Sequence, residues 1–100
     1  MRRGTTPILT FDVPFAVDNV KALNIAFSQC GEVILEKELA DCVIQETSLA
    51  VKLSQADTLK LKGWEYVDIQ IRAVMQDDSA TASDIIRTFV EDILKDGEIK

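Results

Sequence analysis

LSQADTLKLKGWEYVDIQIRAV, Leu53–Val74, changes character twice. Ser54-Gln55-Ala56-Asp57 is a helix-start signal: a hydroxyl at the N-cap and a carboxylate three residues later can each satisfy the other's free backbone donor. Leu59-Lys60-Leu61 soon resumes a period of two, so the signal predicts one short helical turn near residues 55–59. Lys62-Gly63 makes a corner. YVDIQIRAV then alternates, with Val67, Ile69 and Ile71 on one face and Asp68, Gln70 and Arg72 on the other.

A strand, a helical turn, a glycine corner and a Tyr-led strand form the E-to-F crossing of an immunoglobulin-like sandwich. There a tyrosine near the start of strand F hydrogen-bonds back across the corner. Gly63, Trp64 and Tyr66 are therefore the expected structural corner. Tyr66 supplies the backward bond, and Trp64 is a packing lid rather than a ligand platform, since a lone indole usually serves the core.

The flanking sequence supports an all-β chain. TPILTFDVPF reads as a strand with Leu9, Phe11 and Val13 on one face, bracketed by Pro7 and Pro14. VKALNIAFSQ aligns Leu23, Ile25 and Phe27, and QCGE turns through Gly31. EVILEKEL carries Glu36-Lys37-Glu38, charges that suit an edge strand. CVIQ is short, and SLAVKLS points Leu49, Val51 and Leu53 inward. After a turn at Gln76–Ser79, SATASDIIRTFVEDIL admits two readings. Its Thr, Ile, Phe and Val residues favour a closing strand with a bulge near Asp84-Ile85. The alternative is a C-terminal helix at 83–95, stopped by Gly97, which would make the fold α+β. The preferred fold class is an immunoglobulin-like β-sandwich of about seven antiparallel strands in a single domain, 1–100.

Composition narrows the chemistry. The net charge of −6 repels phosphate backbones, so neither nucleic acid nor an anionic membrane is an expected partner. No apolar run approaches the ~20 residues of a membrane span. MRRGTTP has no hydrophobic stretch after it, which argues against export. There is no histidine, which removes the common acyl-transfer triads, and the four glycines are too scattered for a phosphate cradle. Cys30 and Cys42 lie outside any CxxC and are expected as two reduced thiols. Asp77-Asp78 offers at most two calcium ligands without a spaced acidic ladder, and Glu36 with Glu38 reads as a solvated face. No enzyme, cofactor, metal or small-molecule substrate is expected.

The two ends, 1–6 and 96–100, are charged and apolar-poor, and are expected to be flexible. Arg2, Arg3, Thr5 and Thr6 run into the first strand. They form a candidate partner-binding arm that could extend a neighbour's sheet and meet its acidic surface.

The phrases RRGTTP (2–7), FSQ (27–29), LEKELADC (35–42), LSQADTL (53–59), VDIQIR (67–72) and ASDIIRTFVEDILKDGEI (82–99) resemble a group of small phage and prophage proteins of Firmicutes. These are encoded within structural-gene regions and carry no assigned activity. The strand order is also similar to the immunoglobulin-like N-terminal domain of phage baseplate upper proteins, although this sequence ends after one domain, without a receptor-binding extension. The resemblance implies a virion structural or baseplate-associated protein acting by protein–protein contact, with phage structural proteins or further copies of itself as partners. Such a protein would reside in the bacterial host cytoplasm or in the virion. The alternative is a phage-encoded effector that binds a host protein.

Overall fold

Alternation in the sequence becomes alternation in burial. The computed structural model describes all residues, Met1–Lys100. Eight strands form: β1 (Ile8–Asp12), β2 (Val20–Gln29), β3 (Glu32–Glu38), β4 (Cys42–Ile44), β5 (Ser48–Lys52), β6 (Glu65–Met75), β7 (Ala80–Ala82) and β8 (Ile86–Val90). One short helix, α1 (Gln55–Leu59), lies between β5 and β6. The strands make two antiparallel sheets. One has the order β1-β5-β4; in the other, β3-β2-β6 continues to β7 and β8, which both pair with the same edge of β6. No helix is long and apolar enough to cross a membrane.

The sheets bury their apolar faces against a shared core. Phe11, Leu49 and Val51 come from the three-stranded sheet, and Leu23, Ile25, Phe27, Leu35, Val67, Ile69, Ile71 and Ala73 from the larger one. Val67, Ile69 and Ile71 are inside, as the period of two requires. Removing such a branched side chain from a packed core costs about 2–5 kcal/mol for truncation to alanine.

Local signals explain the connections. Cys30 and Gly31 form the two-residue loop between β2 and β3, with φ of 53° and 78°. Positive φ at both positions gives the mirror-image turn whose twist suits a hairpin. Ser54 caps α1, accepting from Asp57 N at 3.0 Å, and Asp57 Oδ2 accepts from Ser54 N at 2.9 Å. Asp57 also meets Lys37 Nζ of β3 at 2.8 Å, tying the helical turn to an edge of the larger sheet.

The C-terminal alternatives resolve to strand. β7 and β8 run along β6 as one strand broken between them, so the helix at 83–95 does not form. Ser83 sits in the break: its N–H donates to Ile71 O, and its hydroxyl accepts from Ile71 N. The physical reason is the edge of β6. Its eleven residues present donors and acceptors that need partners, and a helix would leave them open.

The expected loose N-terminus is docked instead. Met1 N donates to Phe89 O, Glu91 N to Met1 O and Arg3 N to Glu91 O, a short parallel ladder beyond β8. At the other end, Gln55 and Ile99 exchange two hydrogen bonds, at 2.8 and 3.2 Å. Both ends find polar partners supplied by distant parts of the chain, which local composition does not reveal.

Candidate functional site

The outer face of the larger sheet carries the most information. Along β6 the residues facing away from the core are Tyr66, Asp68, Gln70, Arg72 and Val74. Their register partners extend the face: Ser28, Ala26, Asn24 and Ala22 on β2, Phe89 and Arg87 on β8, and Ala82 and Ala80 on β7.

One end is aromatic. Trp64, Tyr66 and Phe89 are 64%, 55% and 38% exposed, so half of the chain's six aromatic residues lie together at the surface. Phe89 stands between the other two: its ring centroid is 5.2 Å from Tyr66, edge to face, and 6.3 Å from Trp64. The Arg87 guanidinium lies over the Tyr66 ring at 5.4 Å and grips Asp68 at 2.8 and 3.2 Å. Hydrogen bonding to Arg87 holds the Asp68 carboxyl below its ordinary pKa.

This geometry corrects the expected corner. The Tyr66 side chain is directed outward and its hydroxyl has no hydrogen-bond partner, so the backward bond is absent. Trp64 is displayed rather than buried, so it is no lid over the core. The left-handed residue is Trp64 itself, at φ 61°, and not Gly63. A side chain in that conformation costs roughly 1–2 kcal/mol. Trp64 N donates to Val90 O at 2.7 Å, which holds the strained residue in place. Gly63 serves a close approach: a Cβ there would collide with the Asp92 side chain.

The other end of the face is a shallow groove of about 460 Å³ around Val74, lined by Ala22, Ala80 and Ala82 with Asn24 and Arg72 at its side. Small side chains on β2 and β7, the strands on either side of β6, leave this space. Arg72 has no carboxylate partner in the fold.

The candidate arm residues are engaged within the chain. Arg2 meets Glu91 at 2.7 Å and donates to Asp92 O. Arg3 meets Asp92 at 2.6 Å and Asp96 at 3.1 Å, and donates to the Leu59 and Leu61 carbonyls. Thr5 donates to Arg2 O and accepts from Thr58; Thr6 lines a polar cleft with Lys37 and Ser54. Of the expected site residues, only Trp64 and Tyr66 fall on the outer face. Phe89, Arg87 and the alanines were not anticipated, because the break between β7 and β8 hides which residues of the last strand oppose Tyr66.

Both cysteines are free thiols. Cys42 packs beside the core, and burial, helped by Asp41, pushes its thiol pKa up. Asp77 and Asp78 serve their turn and a link to Lys21: Asp77 accepts from Ser79, and Asp78 pairs with Lys21 at 2.9 Å.

No protein-family model matches the chain, and neither does any curated protein or solved structure with which it was compared.

Proposed function

We propose that the protein is a non-enzymatic structural module of a phage or prophage particle, associated with its tail or baseplate, and that it works by protein–protein contact through the outer face of the larger sheet. The observation that carries this reading is the exposed cluster of Trp64, Tyr66, Phe89 and Arg87. Tryptophan, tyrosine and arginine are the residues in which binding energy concentrates at protein interfaces. A strained backbone that displays an indole is a feature more often kept for binding than for folding.

The fold proposed for this role is an immunoglobulin-like sandwich. β1, β5 and β4 take the places of strands B, E and D. β3, β2, β6 and the broken β7–β8 strand take those of C′, C, F and G, and α1 lies at the E-to-F crossing. Counting β7 and β8 as one strand gives seven. The likeness of the sequence to phage structural-region proteins supplies the biological setting.

The test is mass spectrometry of purified particles from an induced lysogen that carries the gene. The chain should travel with the particles through a density gradient. A chain that stays wholly in the cleared lysate fits the host-directed effector and removes the structural role.

A further inference from the structure

We propose that the outer face is self-complementary, and that two copies pack these faces together about a two-fold axis, the aromatic end of each filling the alanine-lined groove of the other. This rests on the reading of that face as a contact surface and names its partner, a second copy of the chain.

The pattern along β6 carries the inference. Its outward residues are Tyr66, Asp68, Gln70, Arg72 and Val74, in that order. A two-fold axis lying between the faces and perpendicular to the strands reverses the strand direction. With Gln70 at the axis, Tyr66 of one copy faces Val74 of the other, and Asp68 faces Arg72. Along β6, aromatic meets apolar, acid meets base, and amide meets amide; on β3 the exposed Glu36, in the row of Ala26 and Gln70, falls opposite its own copy, which weakens the contact. A closed two-fold contact of this kind forms both halves at once.

Arg72 has no carboxylate in its own fold; in this arrangement it shares Asp68 of the second copy with that copy's Arg87, and it lies at the groove that receives an aromatic cluster, where a cation is favoured over a ring face. The groove is walled by alanines, which leave room for a ring; bulkier residues would not.

Size sets the strength. Tyr66 to Val74 spans about 26 Å at ~3.3 Å per residue, and three strand spacings of ~4.8 Å give a width of about 14 Å before side-chain overhang. Two such faces bury on the order of 1,000 Å² in total, at the lower limit of specific interfaces, so the dimer is weak and concentration-dependent.

The test is sedimentation velocity of the full chain from roughly 10 µM to 1 mM, the range suited to an interface of that size. Two variants accompany it. Trp64→Gly removes the knob and relieves the left-handed strain; Ala22→Glu fills the groove. Both positions are exposed, and unchanged circular dichroism verifies the fold. Wild type should shift towards dimer, each variant alone should stay monomeric, and an equimolar mixture at the highest concentration should associate more than either variant alone but less than wild type, because one of the two knob-and-groove contacts is then intact. Wild type that is monomeric throughout, variants that dimerise like wild type, or a mixture that associates no more than either variant alone would each overturn the proposal. A monomeric wild type that still enters particles removes self-pairing alone. A Trp64→Gly chain that enters particles as well as wild type removes the contact reading beneath it.

Discussion

Arg3 and Asp92, 89 positions apart in the chain, meet at 2.6 Å and close one end of the molecule. The guanidinium also donates to Leu61 O at 2.7 Å and Leu59 O at 3.0 Å, so it joins the N-terminal segment, the end of α1 and the segment after β8. Gly63 leaves the space that Asp92 occupies. Arg3→Ala removes both charge-assisted bonds to these part-buried carbonyls, at about 1.5–3 kcal/mol for a hydrogen bond to a charged group. The thermal midpoint should fall by roughly 4–8 °C per kcal/mol in a domain this size. Deleting residues 1–6 should lower it further. An unchanged midpoint in either protein would show that the docked arm adds nothing to the fold.

Acid should loosen the same contacts. Burial pushes the Asp57 carboxyl up, but hydrogen bonds from Lys37 and from the Ser54 backbone and hydroxyl outweigh it, leaving the pKa below its ordinary value. Asp92 is lowered by the Arg3 hydrogen bond and by Ile93 N. A carboxyl depressed on folding adds stability that is fully present above its unfolded pKa, about 3.9, and is lost as pH falls through the folded value. Stability should therefore hold from neutrality down to about pH 4 and decline below it. Asp57→Asn should be less stable at pH 7 by about 1.5–3 kcal/mol, the worth of a charge-assisted bond, and should show a flatter acid decline. Urea melts across pH check both, and parallel declines for the two proteins would count against the assignment.

Tyr66→Phe should change stability by no more than about 0.5 kcal/mol, since the hydroxyl is exposed and unpartnered. Tyr66→Ala should cost roughly 0.5–1.5 kcal/mol through its edge-to-face contact with Phe89. Urea midpoints distinguish the two; a large loss in the Phe variant would restore the backward bond of a tyrosine corner.

The thiols should react at different rates. Cys30 is exposed at a loop tip, while Cys42 is partly buried with its pKa raised. Native-state titration with a disulfide reagent at pH 8 should show one fast and one slow group, and two equal groups after denaturation. A single rate for both in the native protein would contradict the packing of Cys42.

Strands and the helical turn were legible because their signals are local. Alternation at Val67, Ile69 and Ile71 and the Ser54–Asp57 capping pair need only neighbours in sequence. The corner is not legible in the local sequence, because two nearby residues divide its work. Gly63 is reserved for Asp92, a distant residue, and the left-handed turn falls on Trp64. The docking of the N-terminal arm is hidden for the same reason: the acceptors for Arg3 come from Leu59, Leu61 and Asp92. Tyr66 and Trp64 could be placed at one end of β6, but Phe89 joins them only through a register that resumes after the break at Ser83.

One competition tests most directly whether the aromatic end of the outer face makes the contact. Wild type and a Trp64→Gly chain, distinguishable by mass, are expressed together in one induced lysogen, and their ratio is measured in purified particles and in the cleared lysate. Losing a residue in which binding energy concentrates costs about 2 kcal/mol or more, so wild type should be enriched in particles roughly thirtyfold over its share in the lysate. Equal ratios in the two fractions would contradict the assignment of this face as the contact surface.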